Sequence, residues 1–421
     1  MQILAKLIYS LIMKVWLKYL IGIALGILTA VLLPPGTAQA ESALNFIVEI
    51  VVRFGRYTLL PLLFFSVATA FFKLQEDRLL LKTGIWTGSI ILISSAALMA
   101  LGLISSLVVR LPRIPITVEK MNDIPSLDWE NLLRALFPYS GFEALLDGAY
   151  LLPCFVLAGI AGMGAAVDKS ATKSAVSLFE SLSRLFYIVM SFFSEVLAVG
   201  MIAIMCRWTL DFIFVLKAKV YLPLILMLSA DLFIMVFVIY PLVLRFLCHD
   251  PHPFRVLYAG ICPFMAAFFS GDTNLALQIN MRHGKESLGI RSRVNSVTFP
   301  LFSIFGRGGA AWVTAVCFVL VFRSYSSLRI SFSDIMWVAG LSFILSFALM
   351  QIPYGGPFIA VTVMCVLYGR GFEAGYLLLK DASPVICSFA AGMDAITAMV
   401  GSYIVGVKTG RIRHQELKKF I

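Results

Sequence analysis

Apolar runs of about 20 residues, the length that crosses a hydrocarbon core of about 30 Å, recur along the whole chain between short stretches rich in Lys, Arg, Pro or Gly. Taking those polar stretches as boundaries, the pattern predicts eight full spans, near 15–34, 44–73, 83–110, 146–168, 179–208, 219–247, 292–323 and 374–408. A wetter stretch between Val108 and Gly148, with Pro112, Pro115, Asp123, Pro125, Asp128 and Glu130, predicts an external loop running into a short partial helix. The expected fold class is an all-α polytopic membrane protein.

Two further apolar segments, 255–290 and 332–370, are too long for one crossing and are interrupted midway. The first breaks at Ser270-Gly271-Asp272-Thr273-Asn274, the second at Ile352-Pro353-Tyr354-Gly355-Gly356-Pro357. Re-entrant helical hairpins account for both facts. Backbone N–H and C=O groups at membrane depth must find partners, so a broken helix persists only inside protein or against a watery cavity. Such breaks mark solute sites, because half-helix N-termini offer positive dipole ends to anions and C-terminal ends offer carbonyls to cations. Two interrupted segments, each followed by a full span, are also what an inverted repeat leaves in a sequence.

Composition strengthens this reading. Hydrophobic residues make up 60% of the 421 positions and charged ones only 14%, where soluble domains carry about a quarter. The mean hydropathy is +0.93. The net charge of +11 does not point to nucleic acid, because the basic residues lie in short clusters between apolar runs instead of on one face. Lys6, Lys14 and Lys18 precede the first span, Lys73, Arg78 and Lys82 follow the second, and Lys408, Arg411, Arg413, Lys418 and Lys419 close the chain. By the positive-inside rule both ends are cytoplasmic, in a multi-pass protein of the cell (inner) membrane. The small residues Thr37-Ala38-Gln39-Ala40 after the first apolar run resemble a leader cleavage site, but the run is more simply the first span. Seven scattered cysteines read as small core residues, and His249-Asp250-Pro251-His252 as a loop; no metal site is expected. No nucleophile–base pair or phosphate loop appears among the spans, so an enzyme is not expected.

Charges at membrane depth single out candidates. Arg307, within Phe305-Gly306-Arg307-Gly308-Gly309, lies deep in the seventh span, where an unpaired Arg costs about 2.5 kcal/mol or more. Its flanking glycines suit locally unwound backbone. Asp394 in the last span is the better-placed counter-charge, Asp272 at the first tip the other, and the pair could equally lock helices without touching solute. Glu195, inside the fifth span, reads as a structural partner at a helix interface.

The stretch Met281-Arg282-His283-Gly284-Lys285-Glu286-Ser287-Leu288-Gly289-Ile290, then Thr298-Phe299-Pro300-Leu301, resembles the segment after the first hairpin in dicarboxylate/amino acid:cation symporters, the glutamate transporter homologues. Ile352-Pro353-Tyr354-Gly355-Gly356 is similar to that family's second tip, Val-Pro-Gly-Gly-Gly. Leu59-Leu60-Pro61-Leu62-Leu63-Phe64-Phe65-Ser66 resembles its second span, and Gly401-Ser402-Tyr403-Ile404-Val405 the end of its last. The resemblance implies a homotrimer in the lipid bilayer and an elevator mechanism. Residues 1–82 would hold scaffold spans 1 and 2, 83–110 the third span of the transport domain, 111–208 the external loop and scaffold spans 4 and 5, and 219–421 the rest of the transport domain.

The site motifs depart from that family. Gly271-Asp272-Thr273-Asn274 replaces a serine-rich first tip, and Arg307 falls on a sodium-binding Asp. Ala390 stands where the family's Arg grips a side-chain carboxylate and Cys387 where its Asp holds an amino group. Asp394 stands for an Asn, and Ala398 for a second sodium-linked Asp. The resemblance thus implies a secondary transporter for a small polar solute, an amino acid or dicarboxylate, with sodium coupling altered or lost. Arg307 would stand in for the ion or take a substrate carboxylate bidentately. Expected binding residues are Asp272, Thr273, Asn274, Arg307, Tyr354, Gly355, Gly356, Cys387, Asp394 and Thr397, with no cofactor beyond a coupling ion, a proton or sodium. An anion-conducting channel and a non-transporting sensor or scaffold are the alternatives.

Overall fold

The computed structural model describes residues 14–33, 38–115, 134, 136, 138, 140–146, 148, 150–326, 330–413, 415, 416 and 420. Lys6, Thr37, most of the external loop (Asp123, Pro125, Asp128 and Glu130 included), His414, Lys418 and Lys419 lie outside those residues. The described chain is helical, and its one extended pairing is an isolated bridge between Ile290 and Ile412. Helices α1 (Val15–Leu32), α2 (Ala38–Arg56), α3 (Leu59–Glu76), α4 (Leu80–Val108), α5 (Leu151–Val167) and α6 (Lys173–Lys217) come first. Then follow α7 (Leu222–Ile234), α8 (Tyr240–Leu247), α9 (Phe254–Ala259), α10 (Ile261–Ser270), α11 (Thr273–Glu286), α12 (Ser292–Phe305), α13 (Gly308–Tyr325), α14 (Phe332–Ala348), α15 (Gly356–Tyr368) and α16 (Ser383–Lys408).

Among the described residues, seven helical stretches are long and apolar enough to cross a membrane. The fourth predicted span is the shorter α5, 17 residues and about 26 Å at 1.5 Å per residue, at the lower limit of a crossing. Several spans read as continuous are interrupted. The second divides into α2 and α3 at Tyr57-Thr58, just ahead of Pro61 in the first turn of α3. The sixth joins α7 to α8 through a π segment, Met235–Ile239, which absorbs the N–H that Pro241 lacks. The seventh stops at Gly306-Arg307 between α12 and α13, and the last begins at Ser383, after a tight turn of helix over Gly375–Leu379. In the other direction, α6 runs for 45 residues, about 68 Å, and overshoots the predicted 179–208 at both ends.

Small residues let these helices approach. A Cβ at Gly22 of α1 would stand 2.4 Å from the Ala198 carbonyl of α6, and one at Gly26 2.6 Å from the Met205 Cβ, so α1 seats on α6 through a small-xxx-small face. Lipid-facing and central helices separate by burial: the most apolar 18-residue window is 28% buried in α1, 94% in α12–α13 and 100% in α16. The broken helix α12–α13 and α16 therefore form the middle of the protein, and α10 and α11 pack against α16. Glu195 of α6 pairs with Lys18 at 3.3 Å and Arg282 at 2.8 Å.

Candidate functional site

The two interrupted segments bring their tips together. At the first, Gly271 is left-handed (φ +66°), ending α10, and Asp272 caps α11, its Oδ1 accepting from the N–H of Asn274 (2.9 Å) and Leu275 (3.3 Å). At the second, Gly355 is left-handed (φ +74°) and begins α15, with no side chain capping that helix. A Cβ on Gly271 would lie 2.9 Å from the Tyr354 ring, and the Thr273 N–H donates to the Pro353 carbonyl at 3.4 Å. Both glycines are therefore required by backbone conformation, and Gly271 also by the ring that closes over it.

Beneath the tips lies a cavity of about 10 Å³, the room of one water molecule. Thr273, Arg307, Gly355, Gly356, Cys387 and Asp394 line it. Arg307 is buried at the break between α12 and α13, and one of its Nη atoms donates to Thr273 Oγ1. Its Nε has no hydrogen-bond partner among the described residues. Asp394 does not form a direct ion pair with Arg307: its Oδ1 instead accepts from the Gly309 N–H at 2.6 Å, at the start of α13. A Cβ at Gly309 would meet the Ala390 carbonyl at 2.4 Å and Asp394 Oδ1 at 2.8 Å, so only glycine lets the carboxylate reach that N–H. The expected Arg307–Asp394 contact is thus replaced by two separate anchors on one cavity wall, because the helix N-terminus competes for the carboxylate.

The four other expected residues sit apart from this cavity. Asp272 is buried and pairs with Arg56 of α2. Asn274 accepts from Ser303 Oγ at 3.3 Å, and Tyr354, 55% exposed, covers the tip from outside. Thr397 Oγ1 lies 2.5 Å from the Tyr240 hydroxyl and donates to the Met393 carbonyl.

Asp272 and Tyr354 instead face a wider crevice of about 540 Å³ between the tips, α2 and α6. Arg53, Arg56 and Arg207 line it, paired with Glu49, Asp272 and Asp211 in that order. Trp208 Nε1 donates across it to Ser388 Oγ at 3.0 Å. The signal for these arginines in the sequence is that all three fall inside predicted spans, where any charge is costly and calls for a partner.

Chemically, the cavity combines a fixed guanidinium, the uncapped N-terminus of α15 and one carboxylate already held by a backbone donor. Such a set is suited to an anion, since two of its three charges are positive.

Comparison with known proteins gives one family. The family described as the sodium:dicarboxylate symporter family matches residues 12–407. No curated protein matches the chain.

Proposed function

Because the chain belongs to the sodium:dicarboxylate symporter family, as the match over residues 12–407 establishes, we propose that it carries a small anionic solute, an amino acid or a dicarboxylate, across the membrane by an elevator mechanism. In this reading eight spans and two re-entrant hairpins, α9–α11 and α14–α15, sit in a cell membrane with both termini cytoplasmic, and the working unit is a homotrimer. The observation that carries it is the meeting of two helix tips over a cavity that holds Arg307 and Asp394.

The tips are unequal, which supports the second as the gate. The first tip is tied down by Arg56 to Asp272, by Arg307 to Thr273 and by Ser303 to Asn274. The second touches it through one backbone hydrogen bond of 3.4 Å and the Tyr354 ring. A cavity with room for one water must enlarge to take a dicarboxylate, and lifting the second tip breaks the fewest contacts. A solute carboxylate then meets Arg307 and the first N–H groups of α15. That guanidinium takes the place of a sodium ion, so uptake is coupled to protons or uncoupled.

Uptake of radiolabelled aspartate and succinate into proteoliposomes tests this directly. Saturable uptake that persists without sodium and falls at least about a hundredfold in Arg307→Ala is expected, as one lost charge-assisted anchor in a dry site costs about 3 kcal/mol. Strict sodium dependence would sink the substitute-cation reading; unchanged uptake in Arg307→Ala would remove Arg307 from the site. Non-saturating flux of small anions would favour a conductance.

A further inference from the structure

Positive charge also concentrates in a second cavity, of about 330 Å³, between α3, α6, α11 and the start of α12. Its wall carries Lys73, Arg184, Lys285, Arg291 and Arg293 against one carboxylate, Glu180. That carboxylate is shared, by Lys73 at 2.9 Å and Arg184 at 2.5 Å. Arg293 turns to Asp77, which also takes Arg411 at 2.9 Å. Two cations are left over. Lys285 lies 3.5 Å from the centre of the Tyr187 ring, and neither it nor Arg291 contacts a carboxylate among the described residues. Glu286, the next acid along α11, is taken by Arg282 and the Tyr187 hydroxyl.

We propose that this cavity binds a phosphate group and thereby clamps α3 and α6 to α11 and α12. Four features fit phosphate. The two surplus cations come from different elements, Lys285 from α11 and Arg291 from just before α12, so they reach the cavity from two sides of a tetrahedral ion. Ser292 and Ser296 bring hydroxyls to the same wall. Helix α12, 14 residues long, starts there with no side-chain cap, which leaves its first N–H groups for an anion. A volume of 330 Å³, against the one-water cavity beneath the tips, is ample for a phosphate and the stem that carries it. Lys73, Lys285 and Arg291 belong to the basic ends of apolar runs, the level at which anionic headgroups meet a membrane protein. The phosphate therefore comes from an inner-leaflet phospholipid headgroup or from solution.

Thermal unfolding of the purified full-length protein in a neutral detergent separates the two sources. Sodium phosphate is titrated at constant ionic strength against sodium chloride, and short-chain phosphatidylglycerol against short-chain phosphatidylcholine. A Tm that rises with phosphatidylglycerol alone assigns a headgroup; a rise with inorganic phosphate assigns the soluble ion as well. In Lys285→Gln/Arg291→Gln the half-saturating concentration should increase about tenfold or more, the effect of losing a charge-assisted hydrogen bond, while Arg291→Lys retains most of the binding. Arg291→Gln alone, at an exposed position, keeps the test open should the double variant fail to fold. No stabilisation by either probe, or equal stabilisation of wild type and the glutamine variants, overturns the proposal.

Discussion

At Asp250, in the short loop between α8 and α9, burial and pairing act on one carboxyl in opposite directions. Burial favours the neutral acid, but the His252 N–H, the Tyr403 hydroxyl at 2.7 Å and the Arg255 guanidinium at 3.0 Å outweigh it, holding the group below the ordinary carboxylate range. A carboxyl with a depressed folded value contributes stability that is present above its unfolded value, about 3.9, and lost as the pH falls through the folded one. Asp250→Asn should therefore lower stability by about 3 kcal/mol at pH 7, since the partly buried Arg255 guanidinium loses its carboxylate, and the gap to wild type should narrow below about pH 4. Melting curves of the two proteins across that range check it; a gap independent of pH would mean that the pairing is not what the loop depends on. The sequence offered Asp250 only as part of a His-Asp-Pro-His loop, because its partner Tyr403 is 153 positions away. Arg307 shows the same limit. Its depth and its glycines were legible, whereas the choice of Thr273 over Asp394 depends on where the Gly309 N–H points, which no spacing encodes.

The hairpin segments differ in how much of each the sequence encodes. Gly271 and Gly355 mark their breaks because each must take positive φ, and Asp272 marks a helix start as a residue whose side chain accepts from the first turn. The break inside the second predicted span is not legible at Tyr57-Thr58, which carries no Gly or Pro of its own; Pro61 follows it in the first turn of α3, and Leu275 comes close to Gly55 just before it. If the second tip is the gate, Cys387 beneath it reports its position. This thiol is 3% exposed and lines the cavity. With the other six cysteines replaced by serine, a membrane-impermeant maleimide should label Cys387 slowly, and Tyr354→Ala should speed labelling several-fold by removing the ring from Gly271. Added solute should protect the thiol. Labelling that is fast in the parent and indifferent to Tyr354 would assign the opening elsewhere.

Across the whole molecule, polar contacts among the described residues join the outer helices α2 and α6 to the central group at two places, the tips and the stretch of α11 where Arg282 and Glu286 meet Glu195, Ser194 and Tyr187. The pair Arg56–Asp272 is the most buried ion pair between them, with side-chain exposures of 22% and 2%, and Trp208–Ser388 lies beside it. In the proposed elevator this pair must break at each crossing, and Asp272 then loses its cation while remaining the cap of α11. That cost holds the molecule in the arrangement seen, much as a buried pair resists separation more than it adds to net stability. Arg56→Gln removes the attraction but leaves the cap, so it should shift the population away from this arrangement without unfolding the tip. Spin labels at Phe46 of α2 and Leu367 of α15, both exposed, give the distance between the two groups. A broader or second distance population in Arg56→Gln is expected, together with faster solute exchange where this step limits turnover. An unchanged distance distribution would mean that Arg56–Asp272 is only a local cap. The hold on the central group would then lie at the opposite face, where Arg282 reaches Glu195 and Ser194 of α6.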